Sequence, residues 1–322
     1  MKILIFTLLS IILLPVLSSA QRIDNTAAYR NIAGNKYIRL HYDNDFWTNT
    51  DYYYTQGYNL ELVNPVLSKN PLSKVLLRFK KGEFKYGLAL EHYGFTPTSI
   101  KSNEILIGDR PFAGIIMLKS FSISVDTIHK QRLVSTLSTG MIGPAAFAGK
   151  MQAAIHRRTG DTDPKGWQYQ IRNDVVVNYE LSHQKELINY PNIISINTDV
   201  QLRLGTLSDK VQAGFTLTLG RFHSPFSTPK NSNLKNFQIY AYGQPLVGLI
   251  GYDAAMQGGI FNKNSPYIID QSQIKQITFQ NNFGIVVSFW KLYGEFYHTY
   301  LSKEFNTGRD HGWGGIKIGV AF

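Results

Sequence analysis

The sequence predicts an all-β fold: a transmembrane antiparallel β-barrel of about twelve strands, with a short helix near residues 145–158. Apolar and polar residues alternate along the chain, as in Val211 to Leu219, which is the period of a strand with one apolar face. A soluble sandwich would alternate too, but three features favour a barrel. The polar face is rich in Gly and long polar side chains, aromatic residues cluster at strand ends (Tyr52-Tyr53-Tyr54), and the last strand ends on Phe322.

Residues 1–20 are predicted to be a cleaved signal peptide. Lys2 supplies a positive charge, an apolar run extends from Ile3 to Leu17, and Ser18-Ser19-Ala20 offers small residues for cleavage. An apolar run of this length is short for a bilayer span, which needs about 20 residues. Residues 21–322 are then predicted to form one barrel domain, exported to the bacterial outer membrane.

Composition excludes several classes of function. The chain has no cysteine, which excludes a disulfide scaffold and thiol chemistry. Its net charge is +11, but the basic residues are scattered, so no nucleic acid is expected. The expected partner is an anionic membrane surface, and the alternative is that the charge only keeps the protein soluble. Beyond the signal peptide no apolar stretch reaches about 20 residues, which excludes transmembrane helices.

The strands are predicted from the alternation, and their number is even, as single-chain bacterial barrels require. The predicted ranges are 35–46, 55–64, 84–93, 111–124, 131–141, 173–183, 193–205, 211–222, 235–245, 274–288, 291–302 and 311–322. Two stretches break the alternation. Residues 144–158 are rich in Ala and predict the helix, and residues 253–270 form a Gly/Asn-rich loop long enough to suggest a function.

The best candidate for a general base is His156. Gln152 and His156 are four residues apart on the predicted helix, so they share a face. An imidazole titrates near neutral pH and suits proton transfer. A lone histidine is more often structural, but His156 lies outside the β pattern, whereas His92 lies in a predicted strand.

Two further groups are candidates for binding. Residues 43–57, which include Asn44 and Asp45, carry Asp, Asn and Thr oxygens of the kind that bind Ca²⁺, although an Asx-rich hairpin turn explains them equally well. Arg110 lies in a turn where its guanidinium could bind a phosphate or carboxylate, or close the turn by a salt bridge. The chain has no Gly-x-Ser-x-Gly motif, which favours an activated water over an enzyme serine as the nucleophile of a hydrolase, although serine hydrolases need not carry this motif.

Taken together, these motifs resemble the LpxR family of outer-membrane lipid A 3′-O-deacylases. They occur in the family's order and span nearly all of residues 21–322. The matching residues are Asn44-Asp45, Thr50-Asp51-x-Tyr53-Tyr54-Thr55-x-Gly57, Gly108 to Gly114, Gly143-Pro144, Gln152-x-x-x-His156, Gly166-Trp167, Asp253 to Gly259, Glu304-Phe305 and His311-Gly312.

The resemblance implies a twelve-stranded barrel and an enzyme, a carboxylic ester hydrolase with calcium as cofactor. Its substrate would be lipid A of lipopolysaccharide, from which it would remove the 3′-linked acyloxyacyl chain near the outer-leaflet side of the barrel wall. The resemblance gives His156 the role of the catalytic base, and it places Asn44, Asp45 and Gln152 in the active site. Asp45 would either orient His156 or bind Ca²⁺.

Other expected roles are less specific. Thr55 and Arg110 are candidates for substrate binding. The family also uses a lysine, for which Lys85 and Lys101 are both candidates. We expect a monomer, with the oligomeric state otherwise open.

Two other functions fit the sequence. A non-catalytic barrel, acting as a channel or a structural protein, would place the groups around Asn44 and His156 far apart. A phospholipase would keep the chemistry and change the substrate. A deacylase predicts instead that Asp45 and His156 lie in one cluster at one end of the barrel.

Overall fold

A computed structural model describes residues 32, 34–48, 52–190, 193–226 and 237–322. The predicted signal peptide and Thr50-Asp51 lie outside these residues. Within them, twelve antiparallel strands form a closed barrel in which each strand pairs with its neighbours in sequence and β1 pairs with β12. The strands are β1 (Tyr37–Asn44), β2 (Tyr53–Val63), β3 (Glu83–Thr96), β4 (Ala113–Asp126), β5 (Gln131–Ile142), β6 (Asp174–Tyr190), β7 (Ile194–Gly205), β8 (Ser208–Arg221), β9 (Gln238–Asp253), β10 (Ile277–Phe289), β11 (Leu292–Leu301) and β12 (His311–Ala321). The predicted fold class and strand number are confirmed.

Two helices interrupt the strands. The first, α1 (Ala148–Thr159), is the predicted helix, and it begins after a separate 3-10 turn at Pro144–Ala146. The second, α2 (Ala254–Gln257), follows β9 directly and was not predicted. No helix in the described part of the chain is long and apolar enough to cross a membrane.

The two ends of the barrel differ. β1 starts and β12 finishes at one end, which we call the termini end, where the connections at residues 127–130 and 290–291 are short. The other end, which we call the helix end, carries α1, α2 and the long connection between β3 and β4. The termini end also carries two longer connections, 64–82 and 222–237, but the two longest, 143–173 and 254–276, lie at the helix end. Longer loops on the extracellular side are typical of bacterial outer-membrane barrels.

Alternation sorts the side chains between the lumen and the outer wall. On β1, Arg39, His41 and Asp43 are buried in the lumen, whereas Ile38 and Leu40 are exposed on the outer face. The other strands repeat the pattern, so the outer face carries a band of Leu, Ile, Val and Phe. Such a band is what a barrel presents to lipid.

The lumen is filled with side chains rather than open. Its charged groups form buried ion pairs, which offset the cost of removing charge from water. Three such pairs are Arg39–Glu61 at 2.5 Å, Lys119–Glu91 at 2.8 Å and Lys317–Glu295 at 3.3 Å.

One expectation about the aromatic residues is wrong. Tyr53 and Tyr54 were expected in an aromatic girdle, but both side chains are buried. Tyr54 lies inside the barrel, where its hydroxyl donates a 2.6 Å hydrogen bond to Asp43. Gly57 leaves the space for this contact, because a Cβ there would lie 2.1 Å from Asp43 Oδ1.

Candidate active site

Helix α1 lies against the outer surface of the barrel wall. Gly94 of β3 and Gly114 of β4 are paired, and they share the outer face with Leu90 and Leu118. Ala148, in the first turn of α1, packs on both glycines, and a Cβ at Gly114 would lie only 2.7 Å from the Ala148 Cβ. Two neighbouring residues without side chains therefore allow the helix to approach the sheet closely.

Gln152 fixes the rotation of α1 about its axis. Its Nε2 donates a 2.9 Å hydrogen bond to Thr55 Oγ1 on β2, at the position where the register with β3 shifts. Its Oε1 accepts a 2.7 Å hydrogen bond from the indole N–H of Trp167. Because an indole only donates, the orientation of this buried amide is determined. Gln152 thus joins the helix to the wall.

His156 lies one turn beyond Gln152, on the same face of α1. Its Nδ1 is 2.5 Å from the carbonyl oxygen of Thr162. A carbonyl only accepts hydrogen bonds, so Nδ1 carries the proton and Nε2 of the neutral ring keeps its lone pair. Gly160 makes this contact possible: it ends the helix with φ of 75°, a conformation suited to glycine, and the chain then turns back beside the ring.

Asn44 and Asp45 form a tight turn at the helix end of β1. The Asn44 side chain accepts a 2.9 Å hydrogen bond from the Phe46 N–H, and Asp45–Thr48 form a 3-10 turn. Thr48 Oγ1 lies 2.8 Å from the carbonyl oxygens of both Asp45 and Gly312. The turn is therefore attached to β12, and the Asp45 side chain is buried in it.

Strand pairing connects this turn to the wall beneath α1. Asn44 pairs with Gln56, Gln56 with Gly94, and Gly94 with Gly114. Directly paired residues share a face, and neighbouring strands lie about 5 Å apart, so Asn44 is about 10 Å from the strand that carries Gly94. Of the predicted site residues, Thr55 and Gln152 are in direct contact, His156 lies one turn further along α1, and Asn44 and Asp45 lie at the end of the neighbouring strand β1.

Arg110 is not brought to this group. Its guanidinium lies inside the mouth of the barrel, 3.9 Å from the ring centre of Phe95, and forms a buried ion pair with Glu304. Asp109, the expected partner in a turn-closing salt bridge, instead accepts a hydrogen bond from the Thr98 N–H. Burial raises the pKa of Glu304 to about 7, even though the Arg110 cation acts to lower it.

The two candidate lysines lie at different ends of the barrel. Lys85 is near the start of β3, at the termini end. It is separated from Thr96 at the helix end by about 36 Å of strand, at about 3.3 Å per residue. Lys101 lies exposed in the connection after β3, and the Lys165 N–H donates to the neighbouring Ile100 carbonyl at 2.7 Å. Of the two, Lys101 is at the end that carries the site.

His92 faces outward, but the chain covers it. Its Nε2 lies 2.7 Å from the carbonyl oxygen of Ala146, and its ring stacks on Phe147 with centres 4.9 Å apart. Phe147 has φ of 49°, an unfavourable conformation for a bulky residue. His92 therefore contacts protein rather than lipid, and its ring supports the segment that leads into α1.

Sequence reasoning did not single out Gln56. Its side chain is 4% exposed and lies in the outward row between Asn44 and Gly94. Its Nε2 has no hydrogen-bond partner among the described residues. An unpaired buried amide is costly, so this N–H is a candidate donor to a bound substrate. The sequence feature that could have identified Gln56 is its position between Thr55 and Gly57, inside the motif at residues 50–57.

The oxygen atoms of the turn between β1 and β2 are chemically suited to bind a hard cation. In the described ranges no group of three or more His, Cys, Asp or Glu side chains is placed to hold a metal. A site at the β1–β2 turn would combine the single carboxylate of Asp45 with neutral oxygens, such as the amide of Asn44 and backbone carbonyls. Ca²⁺ accepts such a mixed set of oxygen ligands.

The fold and this group of residues define a membrane β-barrel with a polar site on its outer wall. The family described as "Outer membrane protein LpxR" matches residues 4–322, and the chain belongs to this family of the outer membrane. Among solved structures, it is similar to LpxR from Salmonella typhimurium, with a TM-score of 0.73 and 16% identity over 89% of this chain and 100% of that one. The P. putida toluene transporter TodX gives a TM-score of 0.40 and 10% identity, over 93% of each chain. No curated protein matches the sequence.

Proposed function

We propose that the chain is a lipid A 3′-O-deacylase, an ester hydrolase that releases the 3′-linked acyloxyacyl chain of lipid A. The observation that carries the proposal is the hydrogen bond from His156 Nδ1 to the Thr162 carbonyl oxygen. It prepares the other ring nitrogen to accept a proton, on the outer wall where a membrane lipid can reach it. Membership of the LpxR family supports the same function.

In the proposed reaction, His156 Nε2 takes a proton from a water molecule as the water oxygen attacks the ester carbonyl. A bond forms between this oxygen and the acyl carbon, and the carbonyl oxygen becomes negatively charged. The bond from the acyl carbon to the sugar oxygen then breaks, and His156 returns its proton to that oxygen. The products are a free acyloxyacyl acid and a sugar hydroxyl. General-base catalysis of this kind contributes about 10²- to 10⁴-fold in rate.

Amide groups would stabilise the negatively charged oxygen. Both polar atoms of Gln152 are engaged within the protein, so its proposed role is to position α1. The amide N–H of Gln56 is the better donor, because Gln56 lies on the outward row and this N–H has no partner among the described residues, whereas the Asn44 amide is hydrogen-bonded to the Tyr42 hydroxyl. A single donor of this kind contributes about 3 kcal/mol in known cases.

We assign Asp45 to calcium binding rather than to orienting His156. The Thr162 carbonyl already orients the imidazole through Nδ1, so a carboxylate is not needed there. Asp45, with the Asn44 oxygen and nearby carbonyls, would hold the ion. A bound Ca²⁺ would supply Lewis-acid polarisation of the ester carbonyl.

The alternatives differ in what they require. A channel requires an open lumen, whereas here buried ion pairs such as Lys119–Glu91 and Lys317–Glu295 fill it. A phospholipase requires only another substrate at the same site, so the substrate must be tested directly.

The test is to incubate the purified, folded protein in detergent with lipid A or with a glycerophospholipid, each with and without calcium, and to analyse the products by mass spectrometry. A deacylase removes one acyloxyacyl unit from lipid A only. Release of fatty acid from the glycerophospholipid alone would identify a phospholipase, and no product from either lipid would favour a non-catalytic barrel.

A further inference from the structure

The connection between β2 and β3, residues 64–82, lies along the outer wall at the termini end. It extends over three strands of the barrel. The Phe79 N–H donates to Ser124 Oγ on β4 at 3.0 Å, Ser135 Oγ on β5 donates to the Leu77 carbonyl at 2.7 Å, and the Leu77 N–H donates to the Tyr179 hydroxyl on β6 at 2.9 Å. We call residues 64–82 the outer-wall segment.

The wall beneath this segment is polar where a membrane barrel is normally apolar. Ser120, Ser122 and Ser124 share the outer face of β4 with Leu118. All three serines are buried, as is Ser135 of β5, and the hydroxyls of Ser122 and Ser135 are 3.0 Å apart. The outer-wall segment bonds directly to Ser124 and Ser135. These serines are thus suited to contact protein rather than lipid.

The outer-wall segment presents apolar and basic side chains to its surroundings. It consists largely of two 3-10 turns, Pro65–Lys69 and Pro71–Val75, each started by an asparagine cap. Its exposed apolar residues are Val66, Leu72, Val75 and Leu77, with exposed fractions of 66%, 39%, 56% and 55%. It has no acidic residue, and its five basic residues, all exposed, are Lys69, Lys74, Arg78, Lys80 and Lys81.

This combination fits a membrane interface. Elements that lie in the interface bury an apolar face among the acyl chains and keep basic side chains among the headgroups. Basic side chains close to a bilayer also attract anionic lipids. The two longest connections, 143–173 and 254–276, lie at the helix end, whereas the termini end carries the short connections 127–130 and 290–291 beside the longer 64–82 and 222–237. Because the extracellular loops of such barrels are the longer ones, we assign the termini end to the periplasmic side.

We propose that the outer-wall segment binds anionic phospholipids in the periplasmic leaflet of the outer membrane. Val66, Leu72, Val75 and Leu77 enter the acyl region, and the five basic side chains bind the lipid phosphates. The β4 and β5 serines hold the segment against the barrel. This surface is at the end opposite His156, and the inference does not depend on the deacylase function.

The absence of native cysteine allows a local test with a fluorophore attached at Leu72→Cys. The full chain is reconstituted in phosphatidylcholine vesicles that contain brominated phosphatidylglycerol or, at equal mole fraction, brominated phosphatidylcholine. We expect stronger quenching by the anionic lipid, with a local enrichment of about fivefold or more, which is the effect of one basic side chain near a charged surface. Equal quenching by both lipids, or quenching by neither, would overturn the proposal.

Two comparisons make the result specific. A label at Leu292→Cys, on the outer face of β11 across the barrel, follows the single Lys291 and should show a smaller preference for the anionic lipid than the label at Leu72→Cys. Replacing Lys69, Lys74, Lys80 and Lys81 by Gln should remove the preference of the label at Leu72→Cys, whereas the same replacement of Lys36, Lys263, Lys275 and Lys291 should preserve it. Heat-modifiable gel mobility verifies that each variant is folded. A preference that survives loss of the four segment lysines, or that also disappears in the second variant, would contradict the proposal.

Discussion

His156 Nδ1 and the carbonyl oxygen of Thr162 are 2.5 Å apart, so the loop that follows α1 determines which ring nitrogen carries the proton. The loop reaches the ring because Gly160 ends the helix with a positive φ. The same helix is held on the wall through Gln152 and Thr55. The position of the proposed base therefore depends on two separate attachments, and each can be altered.

Replacement of Thr55 by Val should loosen α1. The variant leaves the buried Nε2 of Gln152 without its acceptor, at a cost of about 1–3 kcal/mol. We expect faster hydrogen exchange in α1 and weaker deacylation of lipid A, while Thr55→Ser, which keeps the hydroxyl, preserves both properties. Unchanged exchange and full activity in the Val variant would show that the Thr55–Gln152 bond does not hold the helix.

Calcium dependence should be traced to Asp45. Asp45→Asn removes the carboxylate and keeps a side chain of similar shape, so activity should fall to the level of the chelated wild-type protein. Addition of chelator to the variant should then cause no further loss. The measurement is the rate of lipid A deacylation over a calcium titration. A variant with the wild-type calcium response would place the ion elsewhere.

The buried Glu304 should make stability depend on pH. Its pKa is about 7 in the folded chain against an ordinary value of 4.5, so between these values the folded state binds more protons than the unfolded state. Stability contributed by this group therefore falls as pH rises from about 4.5 to about 7.

Thermal unfolding of the wild type and of Glu304→Gln from pH 4 to pH 8 measures this effect. The difference between the two proteins should change across that window and become constant above it. A difference that is independent of pH would mean that the pKa of Glu304 is the same in the folded and unfolded chains, and a contribution that rises with pH would mean that Arg110 keeps the folded carboxylate ionised.

Planar-bilayer recordings should show no sustained conductance. The lumen is filled by side chains in buried ion pairs, among them Arg39–Glu61 and Lys119–Glu91. Stable conductance steps from the folded protein would support the channel alternative and contradict a closed lumen.

Much of the fold could be predicted, because alternation is a local property and each strand shows it. The strand number and α1 followed from the sequence in this way. The inward position of Tyr54 did not, because it depends on the space left by Gly57 and on the hydrogen bond to Asp43.

The site was predictable only in part. Gln152 and His156 share a helix face, which spacing reveals. Arg110 is separated from them because its side chain lies inside the mouth of the barrel, whereas α1 lies on the outer wall. Its partner Glu304 is 194 residues away in sequence, so local sequence could not reveal this pairing. Nor does local sequence indicate that residues 64–82 lie on the outer wall, since their partners are serines on β4 and β5.

The most direct test of the central claim compares His156→Ala with His129→Ala in the deacylation of purified lipid A, measured by mass spectrometry. His129 is a suitable control because its side chain is 69% exposed in a turn at the opposite end of the barrel. Both variants should fold, as judged by heat-modifiable gel mobility. The account predicts a loss of about 10²- to 10⁴-fold for His156→Ala and wild-type activity for His129→Ala. Full activity in the folded His156→Ala variant would contradict the assignment of His156 as the catalytic base.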